Sequence, residues 1–314
     1  MKKTLIIVNP KAGKGNGEKS LPVIKKFIRE NNSDATIVIT ERPHHATEIV
    51  NENQSNYNRI IGVGGDGTLN EIINGIDLDS TEKPVLGVIP IGSGNDFARM
   101  LGLKKDIRQN LELIFNHAPV KSIDVGDIKF TEKNVNGSKS HKFLNGLGIG
   151  FDAYVAYINQ HSKQFSGLIS YIFAVIKALI NLKDMPVRIK LDNSIILGKK
   201  LLIAVGNGKT HGGGFFLNPD AEIDDNKLDL TVIDKLNKLQ IMKKLPLALF
   251  NKLETAKEVT MYKFKEIEIE IEEPYYVHTD GEIISDKISS LEVKCLKNAI
   301  NVISNYKTNV NEKT

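Results

Sequence analysis

The order of secondary-structure signals along the chain is the feature that most constrains its fold. In the first third, β-rich runs occur at residues 4–8 (TLIIV), 35–40 (ATIVIT), 59–63 (RIIGV) and 85–91 (VLGVIPI). Helical patterns lie between them, at residues 18–31, 45–53 and 68–75. Strands that alternate with helices predict a parallel sheet covered by helices on both faces. The loops at the carboxyl ends of such strands together form a ligand crevice.

From about residue 121 the pattern changes, and β-rich runs dominate the rest of the chain. Helical patterns interrupt them at residues 152–163, 166–182 and 239–253. This order predicts a second, mostly antiparallel β domain. The expected division is an α/β domain at 1–122, a β domain at 123–297, and a C-terminal segment at 298–314 that packs back on the first domain and ends in a frayed polar tail.

Composition excludes several classes of protein. The net charge is only +4, which does not indicate a nucleic-acid-binding protein but is compatible with a nucleotide or an acidic membrane surface as partner. Cys295 is the only cysteine, which excludes an intrachain disulfide and a cysteine-rich zinc site and fits a reducing, cytoplasmic location. The apolar run near the N-terminus is too short for a signal peptide. The apolar stretch at 165–182 is interrupted by Lys177 and predicts a core helix rather than a membrane span.

The stretch GVGGDGT (62–68) follows the third predicted strand and places an aspartate, Asp66, inside a glycine run. Gly62, Gly64 and Gly67 match a dinucleotide-binding fingerprint, but that fingerprint normally follows the first strand, so the match is accidental. The glycines permit close backbone approach, and the helix N-terminus that follows attracts anions. Because Asp66 would repel a bare polyphosphate, the loop predicts a metal-bound nucleotide. The alternative is a strand–turn–helix corner with Asp66 as the helix N-cap.

Two further loops fall at the same end of the predicted sheet. NPKAGKG (9–15) follows the first strand, and IGSGNDF (91–97) follows the fourth. Thr40 ends the second strand and points into the same crevice. Because the topology brings all of them together, the sequence predicts a nucleotide-binding site at this edge.

The motifs NPKAG, GGDGT and GSGND, in this order and spacing, resemble the catalytic domain of the diacylglycerol kinase and lipid kinase superfamily. GGGFFLNPDAEIDDNKLDL (212–230) resembles a signature of its bacterial members, and HTDGE (278–282) resembles its late acidic motif. The resemblance covers nearly the whole chain. It implies a nucleotide-binding α/β domain with a parallel sheet, a β-sandwich domain, and an active site between them. GGDGT alone is shared with NAD kinases and phosphofructokinases.

The resemblance also implies site residues. The ATP contacts fall on Asn9, Pro10, Lys11, Ala12, Gly13, Thr40, Gly64, Gly65, Asp66, Gly67, Thr68, Leu69, Asn70, Ser93, Asn95 and Asp96. The proton acceptor falls on Glu282, and Asp66, together with Asp96, would position Mg²⁺. Asp280 is the rival acidic residue in a predicted Asp-Gly hairpin turn, where asparagine would serve equally well.

A structural Mg²⁺ is implied at the acidic turn, through the Asp225 side chain and the backbone carbonyls of Glu222 and Lys227. Two positions depart from the family pattern. Ser93 replaces the usual threonine and keeps the hydroxyl, and Asn226 replaces the usual glycine but tolerates a positive φ. HGGG at 211–214 also matches the oxyanion loop of esterases, but the chain contains no G-x-S-x-G, so that function is rejected.

The expected function is therefore that of an ATP-dependent lipid kinase that converts diacylglycerol to phosphatidic acid. The alternatives are a kinase acting on another glycerolipid, a sphingoid-type lipid or NAD, and a non-catalytic, nucleotide-sensing, membrane-associated protein. The expected partners are ATP, a membrane lipid and, through exposed lysines, the anionic inner face of the membrane. No nucleic acid is expected, and a homodimer is compatible with the sequence.

Overall fold

Four parallel strands form the centre of the first domain in the computed structural model of the chain, which describes residues 3–116, 119–161, 167–192 and 194–305. The strands are β1 (Thr4–Val8), β2 (Ala35–Ile39), β3 (Arg59–Gly64) and β4 (Val85–Pro90). The helices are α1 (Ala12–Glu30), α2 (His45–Asn53), α3 (Asp66–Gly75), α4 (Asp96–Met100) and α5 (Ile107–Phe115). The sheet order is β2-β1-β3-β4, so the polypeptide crosses over between strands.

The alternation of side chains along β1 explains why helices cover both faces of the sheet. Leu5 and Ile7 pack in one apolar core, whereas Ile6 and Val8 pack in another on the opposite face. All four side chains are buried. This arrangement confirms the predicted α/β architecture.

The second domain is built from mostly antiparallel strands. They are β5 (Val120–Glu132), β6 (Lys139–Phe143), β7 (Gly146–Gly150), β8 (Met185–Leu191), β9 (Ser194–Gly206), β10 (Thr210–His211), β11 (Phe215–Phe216), β12 (Leu228–Asp234), β13 (Val259–Phe264), β14 (Glu266–Thr279) and β15 (Glu282–Ile303). The helices are α6 (Phe151–Gln160), α7 (Gly167–Ala178) and α8 (Lys238–Leu249). Side chains from nine of the strands enclose one apolar core, which confirms the predicted β-sandwich type.

Strand β15 connects the two domains. It pairs with β14 and β5 in the second domain, and Val302 near its end pairs in parallel with Leu86 of β4. Ala299 and Ile300 pack in the core of the first domain. The main sheet is therefore continuous between the domains, and this continuity fixes how they face each other. The predicted frayed tail, residues 307–314, lies outside the described residues.

Helix α7 differs from the core helix predicted at this position. Its inner face packs through Ala174, Val175 and Ala178, but Ile169 and Ile176 on the other face are exposed. The apolar composition predicted a core helix, whereas Ile169 and Ile176 are exposed among the residues that the structure describes. Among the described residues, no helix is long and apolar enough to span a membrane.

Candidate active site

A cleft of about 930 Å³ lies between the two domains. The first domain contributes the loops that follow its four strands, and the second contributes the turn before β7, the HGGG loop and the β14–β15 hairpin. The predicted residues that line the cleft are Asn9, Lys11, Ala12, Gly13, Thr40, Gly65, Asp66, Gly67, Thr68, Asn70, Ser93, Asp96, Asp280 and Glu282. Pro10, Gly64, Leu69 and Asn95 are not in its wall, and the Leu69 side chain packs in the core of the first domain.

Close backbone packing holds the three predicted nucleotide loops together. Gly13 has a φ of +59°, and a Cβ at this position would lie 2.2 Å from the carbonyl oxygen of Ile91. A Cβ at Gly92 would lie 2.5 Å from the Cα of Gly65. Only glycine permits this approach, and the loops thereby surround the N-terminus of α3, where an anion is stabilised.

The Asp66 side chain is not the helix cap that the sequence offered as an alternative. The N-cap of α3 is Gly65, and Asp66 is already inside the helix. Asp66 Oδ1 instead accepts a hydrogen bond from the Phe97 backbone N–H at 3.2 Å. Burial and the charge of Asp96 raise the pKa of Asp66 to about 7. A cation beside these carboxylates would relieve their repulsion, so this part of the cleft fits a divalent metal.

The Asp96 carboxylate joins the two domains. Oδ1 accepts a hydrogen bond from the Thr210 hydroxyl at 2.6 Å and also contacts the Arg99 guanidinium. Oδ2 accepts from the Gly213 backbone N–H at 2.7 Å. Since Thr210 and Gly213 belong to the second domain, Asp96 ties the loop after β4 to the HGGG loop.

The buried Asp280 side chain forms a second connection between the domains. Oδ1 accepts from the backbone N–H groups of Asn145 and Gly146 at 2.8 and 2.9 Å. Oδ2 accepts from the Leu144 backbone N–H at 3.0 Å and from Asn70 Nδ2 of α3 at 2.8 Å. Burial raises the pKa of Asp280, and these donors act in the opposite direction. Both oxygens are thus fully occupied within the protein.

Glu282 follows the predicted Asp-Gly turn and reaches the nucleotide loops. Oε2 accepts a hydrogen bond from Gln160 Nε2 at 2.8 Å. Oε1 lies so close to α3 that a Cβ at Gly67 would be only 2.2 Å from it. The side chain is accessible to solvent, but partial desolvation and the charge of Glu71 raise its pKa. A carboxylate so placed is suited to accept a proton.

Comparison with known proteins agrees with this geometry. Residues 3–128 match the family described as the diacylglycerol kinase catalytic domain, and residues 146–304 match the YegS C-terminal NAD kinase beta sandwich-like domain. The chain belongs to the diacylglycerol kinase family. The Bacillus subtilis diacylglycerol kinase is 30% identical over 289 residues, which cover 90% of each chain. The Staphylococcus saprophyticus diacylglycerol kinase is 29% identical over 283 residues, covering 90% of this chain and 89% of that one.

Solved structures support the same membership. The crystal structure of a Bacillus anthracis diacylglycerol kinase has a TM-score of 0.76 and 31% identity, with 97% of each chain covered. Yeast NADH kinase complexed with NADH has a TM-score of 0.55 at 13% identity, covering 97% of this chain and 84% of that one, and shares the fold only. The resemblance seen in the motifs is therefore confirmed, and membership supports a kinase of the lipid kinase class.

Sequence reasoning missed a buried cluster of polar side chains beside the Glu282 hairpin. Asp152 Oδ2 lies 2.8 Å from His278 Nε2 and 3.6 Å from His211 Nδ1, and Oδ1 accepts a hydrogen bond from the Tyr171 hydroxyl. Burial alone would raise the pKa of Asp152, but the two histidines hold it far below its usual range. The histidines stood in motifs that the sequence related to other roles, and nothing in the sequence singled out Asp152.

The donor atoms of this cluster are of the kind that bind metals, since Asp152, His211 and His278 each offer one within 4.8 Å of the others. The hydrogen bonds argue against that use. The Gly281 backbone N–H donates to His278 Nδ1 at 3.2 Å, so the ring proton sits on Nε2 and faces Asp152. The cluster therefore acts as a hydrogen-bonded support for the hairpin that carries the proposed proton acceptor.

The implied structural metal turn lies outside the cleft. Its predicted ligands are Glu222, Asp225 and Lys227. Asn226 adopts a φ of +62°, so the turn forms without glycine. Asp225 Oδ1 accepts from the Lys227 backbone N–H at 3.0 Å, and Oδ2 pairs with Lys263 Nζ at 2.8 Å. An ammonium group thus occupies the place of a cation, and the residues as arranged do not form an open set of metal ligands.

Proposed function

We propose that the protein transfers the γ-phosphoryl group of ATP to the hydroxyl of a membrane lipid, with diacylglycerol as acceptor and phosphatidic acid as product. The observation that carries this proposal is the position of Glu282. A carboxylate from the second domain lies against Gly67 in the nucleotide loop of the first. A lipid hydroxyl that enters the cleft beside Glu282 would lose its proton to this carboxylate as its oxygen attacks the γ-phosphorus. The bond from that phosphorus to the β–γ bridging oxygen would break, and ADP would leave.

The phosphates of ATP fit the loops of the first domain. Phosphoryl transfer requires mainly positioning and neutralisation of charge. Backbone N–H groups at the N-terminus of α3 provide both, and Lys11, Thr40 and Ser93 line the same wall. The predicted ATP contacts that lie behind the wall act by shaping these loops.

Mg²⁺ bound with ATP would be held by Asp66 and would neutralise charge on the phosphate oxygens. Asp96 is committed to Thr210 and Gly213, so it supports this position through its charge and through the closure of the domains. The Asp280 carboxylate accepts four hydrogen bonds from groups within the protein, so Glu282 is the carboxylate left to act as proton acceptor. A structural Mg²⁺ at Asp225 would have to displace Lys263.

Labelled ATP with a panel of acceptors tests the proposal. The panel contains a dispersed diacylglycerol, another glycerolipid, a sphingoid base and NAD. We expect transfer to diacylglycerol, a loss of roughly 10²-fold or more in turnover in Glu282→Gln at saturating ATP, and a comparable loss in Asp66→Asn. Glu254→Gln, an exposed carboxylate outside the cleft wall, is the matched control and should remain active. Transfer to NAD alone would refute the lipid acceptor, and ATP binding without any transfer would indicate a sensor.

A further inference from the structure

Helix α7 carries an exposed apolar stripe. Ile169, Phe173 and Ile176 lie at the spacing of one helix face, and Ile180 continues the stripe in the 3₁₀ turn that follows. Ile169, Ile176 and Ile180 are 66%, 50% and 71% exposed. The opposite face, including Ala174, is buried in the core. An amphipathic surface helix normally turns a polar face outward, whereas this helix presents Ile169, Ile176 and Ile180 on its outward face.

Helix α8 carries a second stripe next to the first. Leu239 and Phe250 are 64% and 72% exposed, and Met242 is also exposed. The buried face of α8 packs in the same apolar core as α7. The Lys238 ammonium donates to the carbonyl oxygen of Ile180 at 3.4 Å, so the start of α8 touches the end of the α7 stripe. The two stripes therefore lie next to each other on the surface, and together they are called the apolar face.

The charged side chains on the two helices that carry this apolar face are all lysines. Lys177, Lys183, Lys238 and Lys243 are exposed, and none has a carboxylate partner within the described residues. Neither α7 nor α8 contains an acidic residue. Asp184, the first carboxylate after α7, is already paired with two other lysines. A twofold pairing with a second copy would bring these like charges together, which disfavours a dimer through this face.

We infer that this apolar face with its lysine rim docks on a lipid bilayer that contains anionic headgroups. Apolar side chains enter the boundary between headgroups and acyl chains, while ammonium groups contact the headgroups. This inference rests on the proposed function in one respect, which is that the acceptor is a lipid reached from the docked surface. The docking surface consists of Ile169, Phe173, Ile176, Ile180, Leu239, Met242 and Phe250.

The position of the surface relative to the cleft supports a bilayer as the occupant. Ser170, on the first turn of α7, lines the cleft. Asn159 and Gln160 at the end of α6 also line it, and Gln160 hydrogen-bonds to Glu282. Docking through α7 therefore places one wall of the cleft at the membrane. A lipid hydroxyl can then approach Glu282 while its acyl chains remain in the bilayer.

Fluorescence tests the docking directly, because the chain contains no tryptophan. Phe173→Trp and Phe250→Trp each place one reporter on the docking surface, and Val23→Trp places one on the exposed side of α1 as control. With equimolar phosphatidylcholine–phosphatidylglycerol vesicles we expect a blue shift and quenching by brominated acyl chains at both surface positions and none at Val23. Absence of both signals at both surface positions would overturn the inference.

Vesicle co-sedimentation provides the second arm. Ile176→Asn combined with Phe250→Asn should lower partitioning onto the anionic vesicles by about a hundredfold, since each buried side chain contributes roughly tenfold. Val23→Asn should change it by less than about twofold. Thermal melting and transfer to a monomeric short-chain diacylglycerol should remain as in wild type, which separates loss of docking from loss of the kinase. Wild-type partitioning of the double variant, or its conversion from a dimer to a monomer at unchanged partitioning, would refute the inference.

Discussion

The Asp280→Asn variant tests the division of roles between the two acidic residues of the hairpin. Asp280 has a φ of +50°, which asparagine adopts readily, so the turn itself tolerates the substitution. From the sequence alone, this tolerance predicts a mild effect. The structure predicts a large one, because each carboxylate oxygen of Asp280 accepts two hydrogen bonds.

The expected cost follows from these four bonds. Whichever way the new amide is oriented, its NH₂ group meets two N–H donors and leaves both unsatisfied in a buried place. Each unsatisfied buried donor costs about 1–3 kcal/mol, so the free energy of unfolding should fall by about 2–6 kcal/mol. If the Asn70 amide turns over to accept from the new NH₂ group, only the Leu144 N–H is orphaned, and the cost falls to about 1–3 kcal/mol. The larger loss corresponds to a decrease in melting temperature on the order of 10 °C.

Thermal and urea unfolding of Asp280→Asn, Glu282→Gln and wild type measure this difference. Glu282 is solvent-accessible, so Glu282→Gln should melt close to wild type while losing turnover. Asp280→Asn should melt lower but retain more transfer per folded molecule, measured well below its transition at saturating ATP. If Asp280→Asn melts with wild type and is inactive, while Glu282→Gln is active, the reasoning is refuted and the two roles are exchanged.

Three further predictions concern other parts of the structure. Gly67→Ala should melt at the wild-type temperature, because alanine favours helices. Its turnover should be lower, because the added methyl group would displace the Glu282 carboxylate, and unchanged kinetics would contradict the close contact. Burial lowers the pKa of His141 to about 4, whereas an unfolded histidine titrates near 6.5. The melting temperature of wild type should therefore fall as the pH is lowered from about 6.5 to about 4, and that of His141→Gln should fall less. Equal decreases would show that His141 is not buried as a neutral ring. A structural Mg²⁺ would raise the melting temperature of wild type but not that of Asp225→Ala. Lys263→Met should make the melting temperature depend more strongly on Mg²⁺. Equal melting temperatures of wild type with Mg²⁺ and with chelator would exclude the metal.

Local sequence patterns were sufficient to locate the main elements of the first domain and the nucleotide loops. Periodicity located β1 and α2 at residues 4–8 and 45–53, as observed, because apolar spacing is a local property. The rule that parallel strands present their loops at one edge then placed Asp66 and Ser93 in one cleft without knowledge of any contact. The Asp-Gly pair similarly determined the hairpin before Glu282.

The role of each charged or apolar side chain depends on three-dimensional packing. Asp280 and Glu282 are two residues apart, yet one is sealed by donors that lie more than 130 residues away in sequence and the other opens to the cleft. Asp152 meets His278 across 126 positions, and no local pattern encodes such a partner. Composition likewise could not distinguish the two apolar faces of α7. The burial and the pKa of a side chain depend on which distant elements pack against it. The spacing of residues along one strand or helix does not predict those contacts.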